Sequence, residues 1–204
     1  MSALKALMVD VDGVIVRSPH PGWRWDQDLE ADLGVSPADL QARLFAPHWA
    51  DIAYGRARLE DRLALVLPAI APHLTSERLM AYWFEKDAHL DDVLLHDLAA
   101  VRALGLQLHL ATVQEHRRAD YLWSTLKLKE RFDGLHYSAA VGFGKPDPEY
   151  FAAVERRTGF SPAELLLVDD RDRNVEAARQ AGWAGILWTG DQRLGPLLAP
   201  FLGA

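Results

Sequence analysis

The sequence has 204 residues, 50% of them hydrophobic and 25% charged, which is enough apolar material for one sizeable core with a small appended module. Its net charge of −7 at pH 7 argues against general binding to nucleic acids or anionic membranes, because such binding needs clustered positive charge. The chain contains no cysteine, which excludes disulfides, thiol catalysis and cysteine-based zinc sites.

The sequence shows no targeting or membrane segment. The residues before Asp10 are too few for the hydrophobic region of a secretory signal, and they lack a cleavage site. No apolar run reaches the roughly 18 residues that indicate a membrane span. We therefore expect a cytoplasmic protein that does not enter a membrane.

The first predicted strand lies within Ala6–Val16, an apolar run interrupted by Asp10, Asp12 and Gly13. A short run of Leu, Val and Met that ends in carboxylates is typical of a buried parallel strand followed by a loop. Similar runs predict further strands at Leu106–Thr112, Leu135–Ala139, Leu165–Val168 and Ala184–Trp188.

Residues 17–90 separate the first strand from the others and have a helical pattern throughout. The predicted helices are Asp26–Leu33, Pro37–Phe45, Leu59–Ile70 and Ser76–Lys86. Open α/β sheets bind ligands at the carboxyl ends of their strands, so a helical insertion at this point predicts a cap over those ends. We expect a helical cap domain of residues 17–90.

Strand and helix alternate from residue 91 to the end of the chain. Asp91 or Asp92 can cap a helix that runs through Leu104, and Asp147 can cap another that ends near Gly159. This alternation predicts an α/β fold with a doubly wound, Rossmann-like parallel sheet. Residues 1–16 and 91–204 are expected to form this catalytic core.

Polar residues follow the predicted strands at the points where the strands end. Asp10 and Asp12 follow the first strand, Thr112 ends the second, Lys145 follows the third, and Asp169-Asp170 follows the fourth. The carboxyl ends of parallel strands meet at one edge of a sheet. We therefore expect these side chains to lie together.

The residue types in this set suit phosphoryl transfer. Mg²⁺ prefers oxygen ligands, and Asp10, Asp170 and a backbone carbonyl near residue 12 can supply them. Asp10 can then attack phosphorus and form an aspartyl-phosphate, while Lys145 balances the negative charge. Thr112 can donate a hydrogen bond to a phosphoryl oxygen, and Asp12 can protonate the leaving alcohol and later deprotonate water.

The ordered set of motifs resembles the haloacid dehalogenase-like (HAD) superfamily of hydrolases. The resemblance rests on Val9–Val14, Leu110–Gln114, Gly144–Pro148 and Leu167–Asn174, and on a helical insertion after the first motif. It implies a Mg²⁺-dependent phosphatase that cleaves a small phosphorylated metabolite. Asp12 favours a phosphatase over a dehalogenase, because a halide leaving group needs no proton.

The resemblance implies a role for each residue of the set. Asp10, Asp12, Thr112 and Lys145 are the predicted catalytic residues; Asp10, Asp12, Asp169 and Asp170 are the predicted metal ligands; Gly13, Thr112, Val113 and Lys145 are predicted to bind substrate. Val113 departs from the family pattern, which often has Asn there, and Gln114 is the nearest polar replacement. Asn174 stands where many relatives have Asp.

Several interpretations stay open at this level. A phosphomutase would use the same aspartyl-phosphate, and a non-catalytic protein could bind a phosphorylated ligand on the same scaffold. Trp23, Arg24, Trp25 and Trp49 in the predicted cap could contact substrate or serve only in packing. The sequence does not separate a monomer from a homodimer.

Overall fold

The computed structural model describes residues 4–202 and contains a parallel sheet of five strands. The strands are β1 Ala6–Val9, β2 Gln107–Thr112, β3 Gly134–Tyr137, β4 Leu165–Asp169 and β5 Ala184–Leu187, in the spatial order β3-β2-β1-β4-β5. The prediction of a doubly wound α/β sheet is confirmed. β1 lies at the centre, where it is shielded by strands on both sides.

The register of the sheet determines where along the strand direction the loops after β1, β2 and β4 begin. Val9, the last residue of β1, lies opposite Leu110 of β2 and Val168 of β4. Asp10 and Asp169 therefore follow at the same height on neighbouring strands. Every residue of β1 and β4 is buried, because hydrophobic clusters cover both faces of the sheet.

Residues 17–90, called here the inserted segment, are mainly helical. Its helices are α1 Leu29–Leu33, α2 Pro37–Leu40, α3 Ala46–Ala53, α4 Leu59–Ile70 and α5 Ser76–Lys86, with a π-helical turn at Gln41–Phe45 between α2 and α3. These helices share a hydrophobic cluster of their own. The division of the chain into a core and a cap domain stays a prediction.

Two of the four predicted helices of the inserted segment have the predicted bounds, and two differ. α1 begins at Leu29 instead of Asp26, because residues 20–29 form successive turns, and Arg24 pairs with Asp26. The helix from Pro37 does not stop at Phe45. The π-helical turn changes the hydrogen-bond pattern just before Pro47. Pro47, which has no backbone N–H, therefore fits in the first turn of α3, where an N–H has no partner within the helix.

The remaining helices lie around the sheet. They are α6 Asp92–Ala103, α7 His116–Asp120, α8 Ser138–Val141, α9 Pro148–Thr158, α10 Asp172–Gln180 and α11 Leu194–Leu198, with a π-helical turn at Tyr121–Thr125 and short 3₁₀ turns at Leu128–Glu130, Pro162–Glu164 and Ala199–Phe201. The predicted caps Asp91, Asp147 and Gly159 are present. α7 was not predicted, because its polar sequence has no apolar periodicity.

The inserted segment contacts the core close to the carboxyl edge of the sheet. Ser138 Oγ donates a hydrogen bond to the carbonyl of Ala53 at 2.5 Å. Gly55 fits closely against Ala139, since a Cβ atom at Gly55 would lie 2.4 Å from the Ala139 carbonyl oxygen. Within residues 4–202, no helix is long and apolar enough to cross a membrane.

Candidate active site

The site is built around a buried lysine that reaches two neighbouring strand ends. Lys145 lies in the loop before α9, and its Nζ is 3.1 Å from Oδ1 of Asp10 and 2.5 Å from Oδ2 of Asp169. Asp10, Lys145 and Asp169 are all buried. The ammonium group therefore lies between the first and fourth predicted motifs.

Asp169 is held by hydrogen bonds on both carboxylate oxygens. Asn174 Nδ2 donates to Oδ1 at 2.9 Å and to Oδ2 at 3.1 Å, and the backbone N–H of Arg171 donates to Oδ1 at 2.9 Å. These bonds and the ion pair compensate the burial of the Asp169 charge. Asn174 thus orients the carboxylate that positions Lys145.

Asp170 is partly exposed to solvent and lies against the loop that follows β1. Gly13 has a φ of +85°, and a Cβ atom at this position would lie 2.3 Å from Oδ2 of Asp170. Only glycine allows the loop after β1 to approach the carboxylate this closely. Sequence reasoning assigned Gly13 to substrate binding; in the structure its immediate neighbour is Asp170.

Three carboxylates could hold a metal ion. Asp10, Asp169 and Asp170 each offer an oxygen, and these oxygens lie within 4.8 Å of one another. Such an all-oxygen donor set fits a hard divalent cation such as Mg²⁺. The carboxylate of Asp12, also a predicted ligand, is not part of this group of three.

The cluster concentrates negative charge in a poorly hydrated place. Burial raises the pKa of Asp10, with contributions from the charges of Asp169 and Asp12, and Lys145 opposes this increase. The pKa of Asp170 is also raised, by burial and by the neighbouring Asp169. A bound cation would favour the ionised forms of both groups.

Asp12 faces a different set of residues. Gln114 Nε2 donates a hydrogen bond to Oδ2 of Asp12 at 2.6 Å. Burial and, to a lesser extent, the charge of Asp87 raise the pKa of Asp12. The charge of Arg118 and the hydrogen bond from Gln114 lower it, but the net pKa is raised. Gln114 therefore fixes the carboxyl group of Asp12, and the pKa of that group lies above its ordinary value.

The second motif lies at the end of β2, next to β1. Thr112 is buried at the last position of the strand, and Val113 is partly buried beside the loop that carries Lys145. A Cβ atom at Gly144 would lie 3.3 Å from Cγ2 of Val113. The structure therefore brings the second and third motifs together, with Gln114 directed towards Asp12.

Sequence reasoning missed one charged side chain near the site. Arg118 is buried, donates a hydrogen bond to the carbonyl of Phe84 at 3.0 Å and another to the carbonyl of Asp87, and forms an ion pair of 3.4 Å with the Asp87 carboxylate. It therefore ties the end of α5 to the core beside Asp12. The signal is weak in the sequence, because Arg118 follows the exposed residues His116 and Arg117.

Comparison with known proteins shows the family of the chain. The family model of haloacid dehalogenase-like hydrolases matches residues 4–182. A sesquiterpene phosphatase from Aspergillus oryzae is 37% identical over 198 residues, which cover 91% of this chain and 90% of the relative. An N-acetylmuramic acid 6-phosphate phosphatase from Pseudomonas aeruginosa is 28% identical over 184 residues, covering 88% of this chain and 79% of the relative.

Solved structures share the fold. A HAD family enzyme from Bacteroides thetaiotaomicron, crystallised with magnesium and inorganic phosphate, superimposes with a TM-score of 0.79 at 16% sequence identity. The similarity covers 96% of this chain and 99% of that protein. At this identity the comparison shows the fold alone.

Proposed function

The chain belongs to the haloacid dehalogenase-like hydrolases, and on this basis we propose that it is a Mg²⁺-dependent phosphatase in which Asp10 attacks the phosphate of a small organic phosphomonoester. The observation that carries the proposal is the buried arrangement of Asp10, Lys145 and Asp169 beside Asp170. Relatives named as phosphatases of a sugar-acid phosphate and of a sesquiterpene support this reaction class.

Asp10 is the proposed nucleophile because it directly follows the central strand β1 and lies beside Lys145 at the carboxyl edge of the sheet. One oxygen faces Lys145 and accepts the backbone N–H of Val11 at 2.8 Å, which fixes the orientation of the group. Attack forms a bond from the Asp10 carboxylate to phosphorus and breaks the bond to the leaving oxygen. Lys145 stabilises the negative charge that develops on the phosphoryl oxygens.

Asp12 is the proposed general acid and base. It donates a proton to the leaving alcohol and then accepts one from the water that hydrolyses the aspartyl-phosphate. Its carboxyl group is separate from the group of three acidic residues, and Gln114 holds it through Oδ2. An acid two residues after the nucleophile is useful for an oxygen leaving group and unnecessary for a halide.

Asp10, Asp169 and Asp170 are the proposed ligands of the metal ion, with Asp169 also holding Lys145. When bound, Mg²⁺ would reduce the repulsion between the anionic phosphate and the anionic nucleophile. Thr112 and the backbone at Gly13 and Val113 are the proposed phosphate-binding groups. Their place at the ends of β1 and β2 supports this assignment.

The test is release of inorganic phosphate from an aryl phosphate and a panel of phosphorylated metabolites, with Mg²⁺ and with EDTA. We expect Mg²⁺-dependent release, with one phosphate per alcohol formed. Asp10→Asn should abolish turnover, because an amide cannot attack phosphorus. Asp61→Asn, at an exposed position of α4, is the control and should leave turnover unchanged. Return of the phosphoryl group to the substrate, without release of phosphate, would indicate a mutase. Turnover by Asp10→Asn would contradict the assignment of Asp10 as the nucleophile.

A further inference from the structure

An aromatic cavity of about 560 Å³ lies within the inserted segment, and its lining residues fall between Ser18 and Asp87. Its aromatic lining residues are Trp23, Trp25, Phe45, Trp49 and Trp83. Trp83 is largely buried, whereas the other four retain partly exposed surface. Ligand sites typically have volumes of about 300–1,000 Å³ and mostly apolar walls, and this cavity meets both criteria.

The aromatic rings support one another and form a rigid wall. Trp25 stacks on Trp83 with ring centroids 5.1 Å apart, and Phe45 meets Trp83 edge to face at 5.4 Å. Phe45 also meets Trp49 at 5.5 Å. The wall is therefore present before any ligand binds, and little conformational freedom is lost on binding.

The loop that carries the proposed general acid, Asp12, leads into the wall of the cavity at Ser18. Ser18 lines it two residues after Val16, whose carbonyl accepts the Gly13 N–H at 2.8 Å. Asp87 lines it at the end of α5 and is paired with Arg118. Val16 also pairs with Asp12 in an isolated β-bridge. Asp12 and the Ser18 side of the cavity therefore belong to one short stretch of chain.

The charged groups that line the cavity, Arg24, Asp26 and Asp87, are all paired, which leaves Ser18 and Gln41 as its uncharged polar residues. Arg24 forms two hydrogen bonds to Asp26, at 2.8 and 2.7 Å, and Asp87 is paired with Arg118. A sugar needs a partner for each of several hydroxyl groups, because buried polar groups without partners are costly. A hydrocarbon needs none, and it gains from covering exposed aromatic surface.

We propose that this cavity binds the leaving group of the substrate and that this leaving group is a hydrocarbon chain or ring system, so that the substrate is the phosphate monoester of an apolar alcohol. The inference rests on the proposed phosphatase function. It assigns the choice of substrate to the aromatic residues of α3, α5 and the preceding turns. The phosphate itself would be bound by the residues at the strand ends.

The test compares primary alkyl phosphates from ethyl to decyl phosphate, below their micelle concentrations, with glucose 6-phosphate. The alcohols differ little in acidity, so chain length changes binding and leaves the chemistry constant. We expect kcat/KM to rise about three- to fourfold per methylene until the cavity is filled, the equivalent of about 0.8 kcal/mol per buried group. A flat series, or a preference for glucose 6-phosphate, would overturn the assignment.

Variants locate the effect in the cavity. Trp49→Ala should lower kcat/KM for decyl phosphate far more than for ethyl phosphate, because it removes part of the apolar wall. Gln41→Trp, at an exposed lining position, should shorten the longest chain accepted without removing existing packing. Trp123→Ala is the matched control, since Trp123 packs on the core cluster away from this cavity and should keep the full chain-length dependence.

A binding measurement separates failure of this inference from failure of the phosphatase proposal. Titration of Asp10→Asn with 1-octanol should change tryptophan fluorescence saturably, and Gln41→Trp introduced into that variant should weaken the binding. Phosphate release from aryl phosphate without octanol binding or chain-length dependence would overturn only the hydrocarbon site. Octanol binding without release from any ester would support the site and contradict the phosphatase.

Discussion

Asp12 precedes Gly13 in the chain and Asp170 lies against Gly13 in space, and each carboxylate has a different contact. Gln114 donates to Asp12, whereas Asp170 lies directly against the backbone of Gly13. The short motif after β1 therefore serves two purposes. Asp12 is its proposed general acid, and Gly13 makes room for Asp170, the acid that follows β4.

Replacement of Gln114 tests the role of Asp12. Gln114→Leu should lower kcat/KM for alkyl phosphates by about tenfold, a fraction of the roughly 10²–10⁴-fold effect of a positioned general acid. Aryl phosphates, whose leaving groups need little protonation, should be affected less. The measurement is the ratio of the two kcat/KM values, with exposed Gln107→Leu as the control. Equal losses on both substrates would contradict a positioning role.

Replacement of Gly13 tests the approach of the first loop to Asp170. Gly13→Ala should reduce phosphatase activity by about a hundredfold, because the added Cβ displaces a carboxylate of the site and small displacements are costly. Gly142→Ala is the matched control, since its φ of +83° is similar and it has no atom within 4 Å of an added Cβ.

In both variants the alanine must adopt a left-handed backbone conformation, which costs about 1–2 kcal/mol of unfolding free energy. Urea unfolding measures this loss. Only Gly13→Ala should also lose activity. Comparable activity in the two variants would show that the contact with Asp170 is unimportant for turnover.

The link between α5 and α7 is the main feature at the scale of elements. Arg118 lies on the buried face of α7, whose N-cap Glu115 accepts the backbone N–H groups of Arg117 and Arg118. The guanidinium of Arg118 also lies over the rings of Phe84 and Tyr121. One side chain thus joins the end of the inserted segment to the helix that follows the second motif.

Arg118→Leu should lower the free energy of unfolding by about 2–4 kcal/mol, because it leaves Asp87 and two backbone carbonyls without their donor. Arg117→Leu, one residue away and exposed, should change it by no more than about 0.5 kcal/mol. Denaturant unfolding of both variants measures the difference. Similar losses would indicate that the buried contacts of Arg118 contribute little.

At the scale of the whole molecule, the outer part of the sheet contains a buried pair of histidines. His109 on β2 and His136 on β3 share a hydrogen bond of 3.1 Å between Nδ1 and Nε2. Burial, together with the charges of His109 and Arg157, lowers the pKa of His136 to about 4. His136 therefore stays neutral in the folded protein at pH values where the unfolded chain would protonate it.

This difference predicts a loss of stability in acid. The unfolded histidine titrates near 6.5, so the stability contributed by neutral His136 is complete above this pH and is lost as the pH falls towards 4. The full effect is roughly 3 kcal/mol.

Urea unfolding at several pH values provides the measurement. His136→Gln should show a smaller decrease between pH 6.5 and 4, whereas exposed His20→Gln should follow the unmodified protein. An unchanged slope in His136→Gln would assign the acid sensitivity to other groups.

The sequence by itself determined the sheet and the order of its motifs. Short buried runs ending in Asp10, Thr112 and Asp169 predict parallel strands, because the apolar length, the following polar residues and the helical spacing between them agree. The matching bounds of α4 and α5 have the same origin. These features depend on residues that are near one another in the chain.

The tertiary structure alone decided which polar groups meet. Gln114 lies 102 positions from Asp12, and Arg118 reaches residues more than 30 positions away. Such pairs have no local periodicity, since they form only when separate strand ends and helices pack together. The same holds for the aromatic cavity, because its walls come from turns and helices whose relative placement depends on packing across the inserted segment.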